Sequence, residues 1–382
     1  DRAIADYSET VQLDPDHAAA YGNRGNLYLM KREVERAIAD FDAVIRLDLK
    51  QTAALINRGN IYRDRKDYDR AVSDYSEAIR RNPAYALAYN NRGSVHRIKG
   101  DIRQAIADYS DAIRLNAGYV TVYGNRGNAY VALGKVENAI ADFDASLKLD
   151  SKQTALWISR GHAYRDRKDY DRAIADYSEA LRLDPKNAIV YNDRGSVYHI
   201  SHLIDRAIAD YSTAIRLDPF YVIAYSNRGN AYLILNDGDR ALADFDAVIR
   251  LEPTHTAALI NRGNIRRDRK EFELALADFN EAVRLDPGNA IVRNNRANTF
   301  RNSGDIERAI ADYDEAVRLD PSYAVAYMNR GSAHYEAKNY ERALADFEAA
   351  LLIDAALAEA VKGRALAKIA LAAQKPASRP KR

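Results

Sequence analysis

The sequence predicts an all-α fold, an α-solenoid of antiparallel helix pairs. Three observations predict it. First, the stretch Tyr123-Gly124-Asn125-Arg126-Gly127-Asn128-Ala129-Tyr130 returns, closely or loosely, every 34 residues along most of the 382-residue chain. A period of that length marks a stacked array of small supersecondary units. Second, apolar residues fall at helical spacing twice within each period. Third, the breaks between these runs carry helix-stopping residues: Gly100, Gly134 and Gly304 inside a period, and Asp-Pro at its end, as at Asp184-Pro185 and Asp286-Pro287.

Residues 1–17 match the second half of later periods, from Asp171 to Pro185. They read as the second helix of a truncated repeat, which implies a longer or processed protein and an N-terminal end open to self-association. Ten full units follow over 18–357. Residues 358–373 are Ala-rich and helical in pattern, keep Arg364 but replace the aromatic by Val361, and read as a degenerate first helix that caps the stack. Residues 374–382 contain Pro376 and Pro380 and read as a basic, disordered tail.

Positions within a unit are numbered here from 1 to 34. The first helix places apolar or small residues at 4, 8 and 11 (Tyr123, Gly127, Tyr130). The second places them at 17, 20, 24, 27 and 28 (Val136, Ala139, Phe143, Ser146, Leu147). Position 8 is Gly or Ala in all ten units, as expected where two helices approach closely. One helix pair buries too little to stand alone, and stacked neighbours complete the core. A second period is superimposed, because Arg63-Asp64-Arg65-Lys66 returns at Arg165 and at Arg267. The larger unit spans three repeats: 18–119, 120–221 and 222–323. It is read either as the remnant of a triplication or as a banded surface for a long partner.

Composition excludes several functions. Cysteine is absent, so there is no disulfide framework, thiolate metal site or cysteine nucleophile. Net charge is +2. The tail carries Lys375, Arg379, Lys381 and Arg382 without an acid, which leaves −2 on the array and no basic bias toward nucleic acid. Apolar runs are too short to span a bilayer and no secretory pattern opens the sequence, so the expected location is cytoplasmic, without membrane contact. No phosphate loop, dinucleotide fingerprint, nucleophile elbow or zinc-protease motif is present. His199 and His202 share a helix face without further ligands. No enzyme, metal or cofactor is expected.

The pattern resembles the tetratricopeptide repeat: an aromatic at 4, Gly at 8, Tyr at 11, Ala at 20, Phe or Tyr at 24, and Pro at 32. The departures are Arg293 at 4, Ala297 at 8 and Arg266 at 11, where the array is expected to be looser or to touch something else. The resemblance implies a right-handed superhelix whose first helices line a concave groove that binds a protein or peptide. It also implies that the side carrying positions 2, 5, 9, 12 and 13, with 6 at its edge, faces that groove. Position 6 is then a row of amides, Asn23, Asn57, Asn91, Asn125, Asn227, Asn261, Asn295 and Asn329, broken by Ser159 and Asp193. Position 9 adds Asn26, Asn60, Asn128, Asn230, Asn264 and Asn298, with His162 in the fifth unit. An amide both donates and accepts, so such a row matches an extended backbone. The other reading is that these amides bond neighbouring repeats or water. Arg63, Arg165 and Arg267 at position 12 would add cationic bands. The family's clamp for chaperone tails needs Lys at position 5, and none is there.

Position 7 is Arg and position 23 is Asp in all ten units. They read as a ladder between packed helices, the Arg fork matching the carboxylate. The function expected from the whole is a non-catalytic scaffold that binds an extended partner segment through an asparagine ladder. The alternative is a regulatory or oligomerisation segment of a larger protease or transferase.

Overall fold

The computed structural model describes residues 1–48 and 50–374. Twenty-two α-helices and no β-strand occur among the described residues. Two compact units are present, Asp1–Val197 and Tyr198–Arg382. The first holds α1 (Arg2–Leu13) and the pairs α2 (Ala18–Met30) with α3 (Val34–Leu47), α4 (Thr52–Asp64) with α5 (Tyr68–Arg81), α6 (Ala86–Lys99) with α7 (Ile102–Leu115), α8 (Val120–Ala132) with α9 (Val136–Leu149), and α10 (Thr154–Asp166) with α11 (Tyr170–Leu183). The boundary falls within α12 (Ala188–Ile200). The second unit holds α13 (Ile204–Leu217), the pairs α14 (Val222–Ile234) with α15 (Gly238–Leu251), α16 (Thr256–Asp268) with α17 (Phe272–Leu285), α18 (Ala290–Asn302) with α19 (Ile306–Leu319), and α20 (Ala324–Glu336) with α21 (Tyr340–Ile353), and finally α22 (Ala358–Gln374). Within each unit a helix packs on its pair-mate and on the next pair.

The pairs form because the sequence stops and restarts the helix at fixed places. Position 15 turns the chain in the left-handed region in every pair. Gly100, Gly134 and Gly304 do so without strain, and Arg32, Lys66, Lys168, His202, Asn236, Lys270 and Lys338 adopt φ of 55–65° at the same place. An acid or amide at position 16 often caps the second helix, as where the Asp67 carboxylate accepts from the Arg70 N–H. At position 31 the side chain reverses the chain by accepting from the N–H two residues on, as Asp150 does from Lys152 and Asp320 from Ser322. The Asp-Pro signal is therefore an Asx turn followed by a residue that cannot resume the helix.

The core of each pair is built on the aromatic at position 24. Phe41, Tyr75, Tyr109, Phe143 and Tyr177 are fully buried in the first unit, as are Tyr211, Phe245, Phe279 and Tyr313 in the second, where Phe347 is buried nearly as deeply. Each such side chain contributes about 1.5–3 kcal/mol by burial. Position 8 must be small because the ring lies against its backbone: a Cβ on Gly127 would sit 2.6 Å from Phe143 Cε1. The ninth repeat keeps Ala297 there, fully buried.

α22 takes the place expected of the capping helix. Its outer side leaves Val361, Leu366 and Ile369 exposed, whereas a cap presents a polar face. Of the expected basic tail, all but Gln374 lies outside the described residues.

Candidate functional site

The first helices are held in line by a charged frame. Arg126 donates from Nε to Asp142 Oδ2 at 2.8 Å and from Nη2 to Asp142 Oδ1 at 2.7 Å, a two-pronged pair between α8 and α9. Its remaining nitrogen, Nη1, donates to Ser110 Oγ of the preceding repeat at 2.9 Å. The pattern repeats. Arg58 forks onto Asp74 and reaches Asp42; Arg160 forks onto Asp176 and reaches Asp144; Arg262 forks onto Asp278 and reaches Asp246; Arg330 forks onto Asp346 and reaches Asp314. One guanidinium thus ties both helices of its own repeat to the second helix of the one before. The acceptor at position 25 was not singled out in the sequence, where its only signal is a Ser, Asp, Asn or Glu every 34 residues.

These carboxylates are buried, Asp142 at 5% and Asp176 at 3% exposure. Hydrogen bonding to Asp142 raises the Arg126 guanidinium above its ordinary value, and outweighs the opposing cost of burial. Burial pushes the Asp176 and Asp244 carboxyls up, against the pull of Arg160 and Arg228. The rings at positions 4 and 11 flank the cation: Arg126 Cζ lies 6.0 Å from the Tyr123 ring centroid and 5.8 Å from that of Tyr130. Trp157 serves in the same way 4.8 Å from Arg160, with its Nε1 donating to the Ser151 carbonyl. The departures at Arg266 and Arg293 are absorbed by this frame. Arg266 adds a second guanidinium on Asp278 at 2.9 Å, and Arg293 one on Asp312 at 3.4 Å.

The amides at positions 6 and 9 form rungs between consecutive first helices. Asn57 Nδ2 donates to Asn26 Oδ1 at 2.9 Å, Asn91 to Asn60 at 3.2 Å, and Asn261 to Asn230 at 3.0 Å. Where the preceding repeat has Asn at position 5, the rung shifts to it: Asn125 donates to Asn90 at 3.0 Å and Asn329 to Asn294 at 2.9 Å. Asn91, Asn294 and Asn329 are buried, whereas Asn23, Asn26 and Asn128 are exposed and Asn57, Asn60, Asn125, Asn227, Asn230, Asn261, Asn264, Asn295 and Asn298 lie between. Asn60 and Asn298 also accept from the buried hydroxyls of Tyr75 and Tyr313, at 2.8 and 2.5 Å.

The fifth and sixth repeats replace an amide rung by His162 Nε2 and Asp193 Oδ2, 2.9 Å apart. His162 stands edge-on to Tyr177, ring centroids 5.6 Å apart. The Tyr177 hydroxyl is buried without a hydrogen-bonding partner, and burial raises it above its ordinary value. The cationic bands expected at position 12 are neutralised locally. Arg63 donates to Asp64 at 2.8 Å and to Asn60, Arg165 to Asp166 at 2.9 Å, and Arg267 to Asp268 at 2.9 Å and to Asn264. His202 lies in the left-handed turn. No cluster of three metal-ligating side chains occurs among the described residues, and no described helix is long and apolar enough to cross a membrane.

Repeated helix pairs, a bonded internal frame and a row of polar side chains on successive first helices define a helical-repeat interaction scaffold, the kind of protein that offers another chain an extended surface. The chain belongs to the tetratricopeptide repeat family. Family profiles described as TPR repeat match residues 59–97, 93–134, 161–200 and 204–236, and profiles described as tetratricopeptide repeat match 1–51, 120–153, 226–290 and 294–361. Among solved structures, the chain is similar to the C-terminal part of a TPR repeat-containing protein from Cytophaga hutchinsonii, with 18% identity over 62% of this chain and 97% of that one and a TM-score of 0.55. It also matches a tetratricopeptide repeat protein from Parabacteroides merdae, at 22% identity over 65% of this chain and 98% of that one, with a TM-score of 0.49. The first of these supports the fold. No curated protein matched the chain in sequence.

Proposed function

We propose that the chain is a non-catalytic scaffold that holds an extended segment of a partner protein along its first helices, and that the amide rungs grip the partner's main chain. The observation that carries this reading is the unused capacity of the rungs. In the Asn57–Asn26 rung, one N–H and one carbonyl oxygen are spent on each other. Asn57 keeps its own carbonyl oxygen and a second N–H, and Asn26 keeps its amino group. Amides fixed in this way are already oriented for a strand of alternating donors and acceptors, so little order is lost on binding. The buried Asn91, Asn294 and Asn329 then support the track, and the exposed Asn23, Asn26 and Asn128 touch the partner. Arg63 and Arg267, each beside its own aspartate, position the neighbouring Asn60 and Asn264 more than they attract acidic ligands, and Arg165 is held by Asp166.

The test is an immobilised array of unrelated short peptides probed with the wild type and with Asn26→Ala/Asn128→Ala, the first an exposed rung member and the second an exposed amide on the same track. Both residues are exposed, and thermal melts serve to show that folding is intact. Each lost neutral hydrogen bond weakens binding by about 0.5–1.5 kcal/mol, and the loss is spread evenly over peptides because main-chain contacts carry little sequence information. Equal signals from both proteins would sink the reading.

A further inference from the structure

We propose that the junction of the third and fourth repeats is a second docking site, for a partner segment that sets a carboxylate beside an aromatic or aliphatic side chain. It lies at the turns that join α6 to α7 and α8 to α9. No amide of positions 6 and 9 lines it, so it stands independently of the amide track. Other turns are tied to the next repeat by an ion pair. The acid at position 18 accepts from the cation at position 14 of the following repeat: Glu35 from Arg65 at 2.6 Å, Asp69 from Lys99 at 2.7 Å, Glu137 from Arg167 at 2.7 Å and Asp239 from Arg269 at 2.6 Å.

Three departures meet at this one junction. Position 18 is Asp or Glu in nine of the ten units and Arg103 in the third, and the position 14 it would pair with is Leu133. An acid in the first turn of a helix suits the helix dipole, so Arg103 forgoes local stability that every other second helix of a full unit takes. Lys135 is the one cation at position 16. Neither Arg103 nor Lys135 is in an ion pair among the described residues. The third departure uncovers a ring. In the other units with Tyr or Phe at position 11, an Arg at position 19 lies over it, as Arg70 does 4.4 Å from the Tyr62 centroid and Arg240 4.5 Å from that of Tyr232. Tyr130 has Asn138 at that place.

Two adjoining clefts of about 340 Å³ each open here, and Arg103 and Leu133 line both. The apolar lining is accessible: Leu133 is 37% exposed, and Ile106 and Tyr130 are half-buried. Arg103 and Lys135 are exposed beside it. The carboxylate in the lining, Asp101, stands 3.6 Å from His96 Nδ1. Two cations against one acid select an anion. A bare anion would leave the apolar lining uncovered, and an uncharged segment would leave both cations unanswered. An acidic residue next to an apolar one satisfies both.

The test titrates the acetylated, amidated dipeptides Glu-Phe and Phe-Glu into the full chain while the methyl resonances of Ile106 and Leu133 are followed. Saturable shifts at both methyl groups are expected with at least one of the two. Exchanging Glu for Gln, or Phe for Ala, is expected to weaken binding about fivefold, and the effect of the charge fades at high salt. Arg103→Glu gives position 18 its usual acid opposite leucine, a combination that Asp205 and Leu235 already provide at those positions. Its melting is expected to match wild type, and its binding to fall about tenfold, since attraction becomes repulsion. Asn138→Arg separates the cleft from simple charge attraction, because it adds a cation but covers Tyr130 as Arg240 covers Tyr232. Weaker binding by that variant supports the cleft, and tighter binding overturns it. No shift in wild type, equal binding of the Gln and Glu dipeptides, or equally strong shifts with inorganic phosphate also overturn it. The amide track is read separately, by Asn26→Ala/Asn128→Ala.

Discussion

At the scale of single residues, the arginine at position 7 carries more than any other side chain. It neutralises a buried carboxylate, lies between two aromatic rings and reaches a neighbouring repeat. Truncating one partner leaves the other's charge buried, and this decides the sign and size of the effect. Arg126→Leu and Asp142→Ala are each expected to lower stability by roughly 3 kcal/mol. Ser110→Ala, which removes the bond to the preceding repeat together with the hydroxyl's own bond to the Ile106 carbonyl, is expected to cost about 1 kcal/mol. Urea unfolding of the three variants checks this, and equal losses would show that the inter-repeat bond matters as much as the pair. A second prediction concerns pH. Hydrogen bonds from Arg80 and Arg81 push the Glu77 carboxyl down to about 2 from an ordinary 4.5. A lowered acid stabilises the fold above its unfolded value, and the contribution fades as pH falls through the folded value. Glu77→Gln is therefore expected to be less stable than wild type at neutral pH, with the difference shrinking between about pH 4.5 and 2. Thermal melts across that window measure it, and a gap that stays constant counts against the assignment.

At the scale of elements, the helices and their breaks were readable because each has a local cause. The apolar spacing sets the buried stripe, and Asp-Pro sets the stop. Two features were not readable. Position 15 is left-handed in every pair, yet Lys66, Lys168 and Lys270 carry no mark of it; the helices on either side impose the turn. The amide row was visible as residue types, but its partners depend on how far one first helix is displaced against the next, and a repeat's own pattern does not encode that offset. Once that offset is known, the acceptor follows residue type: Asn91 meets Asn60 at position 9 of the preceding repeat, whereas Asn125 meets Asn90 at position 5, in a repeat whose position 9 is Ser94. The rung between α10 and α12 can be improved on the same logic. His162 faces Asp193 and leaves the Tyr177 hydroxyl orphaned, whereas Asn60 serves both its rung and Tyr75. His162→Asn offers an amino group to Asp193 and a carbonyl oxygen to Tyr177. It is expected to raise stability by about 1 kcal/mol, the low end of the cost of an orphaned buried polar group. A melting temperature at or below wild type would show that the histidine ring's packing against Tyr177 outweighs the missing bond.

At the scale of the whole molecule, stability in a stacked array is close to a sum over repeats and their nearest-neighbour interfaces. The 102-residue period makes this testable without designing a new interface. Removing residues 120–221 joins Tyr119 to Val222, and Tyr221-Val222 is the natural junction at that same place in the repeat. In the shortened chain Arg228 meets Ser110 as Arg126 does in the intact one, and Asn227 meets Asn90 as Asn125 does. Every frame and rung type at the new junction thus has a precedent in the native chain. The variant is expected to unfold cooperatively, with unchanged helix content per residue by circular dichroism. Its denaturant dependence should fall in proportion to the surface removed, since that slope follows the area exposed on unfolding. The deletion also removes the His162–Asp193 rung while sparing Asn23 and Asn26, so the exposed amides of the first repeats survive. Retained peptide binding in a chain that has lost its middle super-repeat would place the binding amides in the remaining repeats. A shortened chain that folds but unfolds in two separated steps would show instead that the super-repeats are not interchangeable, and that the triplication has acquired distinct interfaces.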